Sequence, residues 1–434
     1  MATTTTTIPA SAPLGSVAAT VQYSPVLFSR AMTTANFSKK LSGPIQADQY
    51  ASDGRKESSS GYPIQEIYEL NKRGSGDRVT FDIVDRVGGK PSMNDVTAAT
   101  NKQGLEFARD EAVLGLSRKQ INVGSTMVSQ RAPHNLRNVA MSEMVRYFSD
   151  LEDNRVTVHL AGARGVQTGA GWKVPLDTDP DFANIMVNPV LPPTRNRYFC
   201  PGGNADVTTL DATDLMSLNF IDDLRTIADV SEVPLHGVDM PDFNLAGNSE
   251  TPLYLGFMSS EQWNTLMKST SEQNYRTFLA QATDRVDFRR HPLFRDAEMG
   301  MWRGIVWLKM PRAIEFAVGS PVKQYNATTG ALGTVNAAVR THRGFIVGGQ
   351  ALAKVFGDAT PVAAQTYLSK GTGQTTMGVP YSWIEEGSDA GNQLDITGGL
   401  MNGLKKIRYT LPSTASAWDN GVIVFDTAQP AIPG

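Results

Sequence analysis

The sequence contains very little cysteine and histidine. Among its 434 residues there is one cysteine, Cys200, and there are five histidines. A single cysteine excludes an intrachain disulfide framework and fits a reducing compartment. No two histidines stand three to five residues apart and none is near Cys200, so the spacing of a zinc site is absent. We therefore expect no metal and no cofactor, and Cys200, with apolar neighbours, is expected to be an inert packing residue.

Charge and long apolar runs are also scarce. Charged residues make up 19% of the chain, below the about 25% of typical soluble domains. The 40 basic and 43 acidic side chains give a net charge of −3, which excludes a dedicated nucleic-acid binder and leaves only weak local contact with nucleic acid. No apolar run approaches the about 18 residues of a membrane span, and no signal peptide is recognisable. We expect a cytoplasmic protein without a membrane partner. The low content of charged residues fits either a protein whose surface is largely covered by partners or a loop-rich protein with many polar residues. It slightly favours the first.

Sequence motifs of catalysis and ligand binding fail at required positions. The Gly-Gly-Lys-Pro-Ser segment at 88–92 looks like a phosphate-binding loop, but Pro91 stands where Ser or Thr must follow the lysine. The acidic run at 177–181 begins like a calcium loop, yet Phe182 and Asn188 replace the required Gly and Glu. No Gly-x-Ser-x-Gly elbow occurs. We therefore predict no catalytic and no metal-binding residues, and we interpret the acidic run as a solvated turn.

Residues 1–75 are predicted to form an N-terminal arm. Scattered prolines and a flexible stretch at 58–61 indicate irregular structure over the first 70 residues. Aromatic anchors nevertheless recur there, which is unusual for disordered chain. Such a segment needs a surface to lie on, which is either its own core or a neighbouring subunit. The candidate subunit contacts are Tyr23, Phe28 and Phe37.

Residues 76–128 are predicted to form an extended β-loop. Apolar and polar residues alternate through 78–84, as in a strand with one buried face, and a second strand returns after a polar tip at 88–110. Hairpin loops usually have about 2–5 residues, so this long tip is expected to be functional or mobile. Arg86 and Lys90 at the tip either pair with acidic groups on a neighbour or are solvated.

Residues 135–161 carry the clearest helical pattern, with apolar residues at three- and four-residue spacing. Asn135 is the predicted N-cap, and Gly162 is predicted to end the helix. At 1.5 Å per residue this helix spans about 40 Å. That length exceeds the usual helix of a globular domain and indicates a spine on which other elements pack.

The remaining chain places helices and strands in separate runs, which predicts the α+β class. The predicted helices are 212–228 with Asp211 or Thr213 as cap, a capped helix from Ser259 or Ser260, 273–284 and 350–356. The predicted strands are 253–257, 304–308, 344–348, 381–384, 394–397, 405–411 and 422–426. Segment 163–209 is rich in Gly and Pro, and segment 313–343 is rich in Gly, Asn and Thr. Both are interpreted as insertions.

Six colinear segments resemble the major capsid protein family of N4-like tailed bacteriophages. They are residues 76–83, 132–137 leading into the long helix, 255–263, 291–304, 345–353, and 399–408 followed by 420–426. The fourth segment, 291–304, is the most specific, because Pro292, Leu293 and Phe294 match the Pro-Leu-Phe of the family's Asn-Pro-Leu-Phe signature. His291 stands where the family has asparagine. The segments cover most of the chain from about residue 64 to 427.

The resemblance implies an HK97-like capsid fold. It implies that the N-terminal arm (1–75) lies across neighbouring subunits and that residues 76–128 form the extended loop of this fold. The peripheral domain, 129–209, would carry the spine helix and one insertion. The axial domain, 210–360, would carry the insertion at 313–343, and a β segment at 361–434 would return to both domains.

The resemblance further implies a major capsid protein and not an enzyme. It implies assembly in the host bacterial cytoplasm, as hexamers and pentamers, into the icosahedral shell of a virion around double-stranded DNA. Scaffolding, portal and decoration proteins are the implied partners. The alternatives are a tail tube subunit, or a ligand-binding protein or enzyme with a disordered N-terminal tail.

Overall fold

The computed structural model describes residues 15–44, 61–68, 70, 76–84, 90–93, 107–131, 135–231, 233, 235–238, 253–270, 299–326, 330–362, 364, 378–410 and 417–430. The predicted helix at 273–284, the side chain of Arg86 and residues 291–298 of the most specific resembling segment lie outside these ranges. No helix within them is long and apolar enough to cross a membrane.

Helices and strands both occur, as the predicted α+β class requires. The helices are α1 (Val17–Thr34), α2 (Asn36–Lys40), α3 (Thr126–Arg131), α4 (Leu136–Ala161), α5 (Asp181–Met186), α6 (Leu218–Val230) and α7 (Ser260–Ser269). The strands are β1 (Ser42–Pro44), β2 (Ile64–Ile67), β3 (Arg78–Val84), β4 (Phe107–Val113), β5 (Gly115–Ser125), β6 (Tyr198–Phe199), β7 (Tyr254–Met258), β8 (Met299–Trp302), β9 (Ile305–Lys309), β10 (Ile314–Phe316), β11 (Pro321–Tyr325), β12 (Leu332–Asn336), β13 (Thr341–Val347), β14 (Leu352–Phe356), β15 (Tyr381–Ser388), β16 (Gln393–Lys406), β17 (Arg408–Thr410), β18 (Ala417–Asp419) and β19 (Val422–Ala428).

The first sheet, called the spine sheet below, has the order β1-β2-β14-β16-β15, with β5 also paired to β16. Strands β1, β2 and β14 are parallel, and the other pairs are antiparallel. Helix α4, called the spine helix, packs on this sheet through Met144 and Phe148, which join Trp383, Ile396 and Leu400 in one buried cluster. Burial of such side chains stabilises the layer by about 1.5–3 kcal/mol each.

The second sheet has the order β6-β19-β13-β7-β9-β8, with β10 paired to β13. Its central strand β13 is buried at every position, as expected for a strand covered on both faces. One face packs against α6, where Phe220 and Leu224 meet Trp307 and Phe425. The opposite face of the second sheet packs in another buried cluster, and Val156 in the C-terminal part of the spine helix belongs to that cluster. The spine helix is therefore shared by the cores of both sheets.

The spine helix begins and ends as predicted. The Oδ1 atom of Asn135 accepts hydrogen bonds from the backbone N–H groups of Arg137 (3.1 Å) and Asn138 (3.4 Å). Gly162 adopts a left-handed conformation with φ of 69°, and its N–H donates to the carbonyl of Val158. Both ends are thus closed by local contacts, which is why the sequence pattern predicted them correctly.

The prediction of irregular structure for the N-terminal region is wrong for residues 15–44. Helix α1 runs through Pro25, with Ser16 as its N-cap. Its buried residues repeat every four positions, at Ala19, Tyr23, Leu27 and Ala31. A proline inside a helix costs about 3 kcal/mol, and burial of this apolar stripe offsets that cost.

Two other predicted helices need correction. The helix predicted at 350–356 is strand β14, fully buried between β2 and β16, because a short apolar run does not distinguish a buried strand from a buried helix. The helix predicted at 212–228 begins later, at Leu218, where the side chain of Ser217 caps it.

The two sheets draw strands from distant parts of the chain. Strand β14 lies in the predicted axial range but joins the spine sheet, whereas β6 lies in the predicted peripheral range but joins the second sheet. Strands β15 and β16 join the first sheet and β19 joins the second, all from the segment 361–434. The domain boundaries remain predictions.

Candidate assembly surfaces

Strands β3 and β4 form an antiparallel ribbon of their own. Their register runs from Arg78 opposite Val113 to Val84 opposite Phe107. No other described strand pairs with either of them. The outer edges of the ribbon therefore carry backbone donors and acceptors without a ladder partner, which is the surface that β-strand addition uses.

The root of the ribbon is fixed to the body. Val79 and Ala112 are buried in a cluster with Val355 of the spine sheet. The side-chain amide of Asn188 accepts from the N–H of Val113 (2.9 Å) and donates to its carbonyl (3.0 Å). The ribbon therefore leaves the body at a defined place.

Three of the described residues at the ribbon tip are exposed. Lys90 and Pro91 are exposed, and Met93 retains 65% of its accessible surface. Among the described residues, no ion pair involves Lys90. Arg86 lies outside these residues, so its pairing with a neighbour stays a prediction.

The three arm residues proposed as subunit contacts are packed against their own chain. Tyr23 is 8% exposed, with its ring centroid 5.8 Å from that of Trp383. Phe37 is 2% exposed and packs on Phe257. Phe28 contacts the rings of Phe356 and Tyr381. The chain's own body is thus one surface on which these anchors pack, and their role as subunit contacts stays a prediction.

A buried carboxylate binds Gly15 of the arm, just before helix α1. Glu385 of β15 accepts two hydrogen bonds from the guanidinium of Arg137, at 2.6 and 2.9 Å. It also accepts from the indole N–H of Trp383 (2.9 Å) and from the backbone N–H of Gly15 (2.8 Å). The Arg137 guanidinium lies 4.4 Å from the ring centroid of Tyr23. Arm, spine helix and spine sheet are joined at this point.

A second polar cluster binds helix α2 of the arm. The Asp153 carboxylate of the spine helix accepts from the N–H groups of Asn36 and Phe37, both at 3.0 Å, and so caps α2. Beside it, the buried Lys354 ammonium pairs with Glu152 at 2.7 Å and donates to the hydroxyl of Ser38 at 2.6 Å. The segment 15–38 of the arm is therefore bound near both of its ends by charge-assisted hydrogen bonds, which are stronger than neutral ones.

The Asp153 cluster predicts a pH-dependent contribution to stability. Burial raises the pKa of the Asp153 carboxyl from 3.8 to about 6, although the N–H groups of Phe37 and Asn36 lower it in part. Because the folded pKa exceeds the unfolded one, this group stabilises the fold most below about pH 4, and that contribution is lost as the pH rises through about 6.

We expect the substitution Asp153→Asn to remove this dependence. Relative to the unsubstituted chain, the variant should gain unfolding free energy as the pH rises from about 4 to above 6. Denaturant unfolding of the unassembled chain at several pH values measures the difference. Asp150→Asn, on the same helix but with 28% of its side-chain surface exposed, is the matched control. A pH-independent difference for Asp153→Asn would contradict the expectation.

A serine, a histidine and two glutamates form a network that the sequence did not reveal. The Ser259 hydroxyl oxygen lies 2.8 Å from Nδ1 of His342, whose other ring nitrogen is 3.6 Å from Glu315 and 3.7 Å from Glu261. This order is that of a hydrolytic triad. However, Ser259 is 1% exposed and its hydroxyl caps α7 by accepting from the N–H of Gln262. The burial of Ser259 and its use as a helix cap give this network a structural role.

Cys200 has the predicted packing role. It is 7% exposed, and burial raises the pKa of its thiol to about 12, so it stays protonated at neutral pH. Within the part of the chain that the structure describes, no three His, Cys, Asp or Glu side chains are placed to hold a metal ion.

Solved phage capsid structures share this fold. The chain is similar to the capsid of Ralstonia phage GP4, with 22% identity, 92% of each chain covered and a TM-score of 0.68. It is also similar to the Cyanophage Pam1 capsid, with 15% identity, 86% of this chain and 90% of that chain covered and a TM-score of 0.55. It is similar, too, to the head structure of Helicobacter pylori bacteriophage KHP40, with 11% identity, 85% of this chain and 89% of that chain covered and a TM-score of 0.54. These likenesses confirm the predicted HK97-like capsid fold.

Sequence comparison identifies the family. No curated protein matches the chain. The model of a family described as phage capsid protein matches residues 11–431. Because this match spans nearly the whole sequence, the chain belongs to the phage capsid protein family, and it is a major capsid protein, a structural subunit of the virion capsid rather than an enzyme.

Proposed function

We propose that copies of this chain assemble as hexamers and pentamers into a closed icosahedral shell around double-stranded DNA. Assembly takes place in the cytoplasm of the host bacterium, with scaffolding, portal and decoration proteins as partners. Contact with the packaged DNA is weak and nonspecific, because the chain carries a net charge of −3 and no excess of basic residues.

The observation that carries this proposal is the ribbon of β3 and β4. It has a fixed root, two edges without a described ladder partner and an exposed tip. Such a ribbon offers main-chain hydrogen bonds to a neighbouring copy. A contact between different surfaces of two copies generates a closed ring when the rotation between the copies closes.

The body of the subunit supports the same function by its rigidity. The spine helix packs in the cores of both sheets and is closed at both ends. Glu385 and Asp153 attach the arm to that helix or to the adjoining sheet. A rigid body with a projecting ribbon keeps its own geometry while the ribbon adapts to slightly different neighbours, as pentamers and hexamers require.

The finer assignment to the N4-like group is part of the proposal. It rests on the six colinear segments, of which 76–83 contains the start of β3, 255–263 joins β7 to the capped helix α7, and 420–426 leads into β19. These segments coincide with elements that build the ribbon root and the second sheet.

Deletion of the ribbon tip, residues 90–104, tests the proposed function. We expect the shortened chain to remain folded, since the root and both cores are retained, and to fail to close shells. Electron microscopy and circular dichroism measure the two properties. A chain in which a Gly-Ser linker of equal length replaces 90–104 separates loop length from side-chain chemistry. Closed particles from the deletion variant would contradict the assembly role of the ribbon.

A further inference from the structure

The insertion at 163–209 encloses a cavity of about 720 Å³ together with β11. That volume is within the range of about 300–1,000 Å³ that small-molecule sites occupy. Most of the residues that line it are apolar, among them Val166, Leu176, Phe182, Met186 and Val322. Walls of this kind favour a ligand with an apolar body.

A buried guanidinium also lines the cavity. Arg164 is 3% exposed, and its Cζ atom lies 3.6 Å from the ring centroid of Trp172. Its Nε donates to the carbonyl of Val174 and its Nη2 to that of Gln167, both at 2.9 Å. These three contacts hold the guanidinium in one orientation.

The contacts of Arg164 leave one donor and the charge of the side chain unmatched. Nη1 has no acceptor among the described residues, and none of the described carboxylates forms an ion pair with this guanidinium. Burial accordingly lowers the pKa of Arg164 to about 10, although the charge of Asp177 raises it in part. A buried charge and a buried donor without partners are both destabilising, so an anion that enters the cavity is stabilised there.

The exposed charges of the cavity lining do not reverse this preference for an anion. Asp177 and Asp179, from the acidic run interpreted as a solvated turn, are exposed at the rim, so water and salt screen their repulsion of an anion. Lys323 of β11 is an exposed cation in the same lining. The attraction of the buried Arg164 acts at a lower dielectric constant and is therefore stronger than the repulsion from the rim.

We propose that the cavity binds an aliphatic monocarboxylate, such as a medium-chain fatty acid. The carboxylate accepts the hydrogen bond from Nη1 of Arg164, and the alkyl chain packs on the apolar walls. The ligand thus supplies both the acceptor and the negative charge that Arg164 lacks, which neither a water molecule nor a neutral ligand does. The site lies within one subunit, so this inference is independent of the proposed shell function.

Isothermal titration calorimetry of the whole unassembled chain with octanoate and with octanol tests the inference. The chain is first passed over a hydrophobic resin, which removes any ligand retained from the cells. Octanol has the same alkyl chain as octanoate but no negative charge. We expect one octanoate site per chain, with an affinity at least about tenfold higher than that for octanol, because a hydrogen bond between two charged groups contributes more than one between neutral groups.

Two substitutions locate the site. Arg164→Gln is expected to weaken the binding of octanoate at least about tenfold and that of octanol less than about twofold, because only the carboxylate uses the charge. Ala183→Trp adds an indole to the cavity lining at an exposed position, and is expected to weaken the binding of both ligands. Arg30→Gln makes the same charge change on α1, outside the cavity lining, and should leave both affinities unchanged.

Four results would overturn the inference. They are no octanoate binding to the unsubstituted chain, equal affinity for octanoate and octanol, an equal loss of both in Arg164→Gln, and octanoate binding that persists in Ala183→Trp. Circular dichroism shows whether each variant is folded. If Arg164→Gln does not fold, the difference between octanoate and octanol and the effect of Ala183→Trp decide the outcome. None of these measurements depends on particle formation, so each leaves the shell function standing.

Discussion

Replacement of Asp426 by asparagine is expected to lower the free energy of unfolding by about 3–5 kcal/mol. Asp426 and Arg343 are both fully buried and form a two-point ion pair, at 2.8 and 2.7 Å. The hydroxyl of Tyr198 also donates to this carboxylate, at 2.7 Å. Removing the negative charge leaves the guanidinium unpaired in the core of the second sheet, where solvation cannot replace the carboxylate.

Denaturant unfolding of the unassembled chain, followed by tryptophan fluorescence, measures this effect. Replacing both partners, Arg343→Met with Asp426→Leu, should recover much of the loss because no unpaired charge remains. Arg78→Ala is the surface control, since Arg78 and Glu111 are about half exposed, and such pairs contribute at most about 1 kcal/mol. An Asp426→Asn chain as stable as the Arg78→Ala chain would refute the expectation.

The substitution Leu27→Ala is expected to destabilise the unassembled chain by about 2–5 kcal/mol. Leu27 is fully buried in the cluster that contains Met144, Phe148 and Trp383. The expected loss combines transfer of the side chain to water with the cavity that it leaves. Because the arm helix packs on its own spine layer, the effect should be present before any neighbour binds.

Limited proteolysis of the unassembled chain gives a local measure of the same packing. The segment 15–44 is expected to resist cleavage in the unsubstituted chain and to be cleaved faster after Leu27→Ala. Arg30→Ala, exposed on the same helix, should change stability by less than about 0.5 kcal/mol. Rapid cleavage of 15–44 in the unsubstituted chain would mean that this helix forms only against a neighbouring copy.

Local patterns determined which elements could be predicted. The spine helix carries its period and both end signals within 135–162, so no distant contact was needed to identify it. The stripe of helix α1 was equally local, at Ala19, Tyr23, Leu27 and Ala31, but Pro25 and the neighbouring prolines indicated irregular chain. Strand β14 could not be predicted, because its pairing partners β2 and β16 are far away in the sequence.

Among the candidate assembly surfaces, too, features with a local sequence pattern could be predicted, and features that depend on distant contacts could not. Alternation through 78–84 and the long tip predicted the ribbon. The contacts that hold the arm could not be predicted, because Glu385 is 248 residues from Arg137 and 370 from Gly15. The acidic run at 177–181 was recognised, but its position at a cavity depends on the folding of β11 against the insertion.

Electron microscopy of the purified chain tests the central claim most directly. A subunit with a well-packed body and a ribbon whose edges have no described ladder partner should form closed shells of uniform diameter, in which five- and sixfold clusters are resolved. Each ribbon should extend onto an adjacent subunit. Open tubes, or only small oligomers under all assembly conditions, would contradict the shell function.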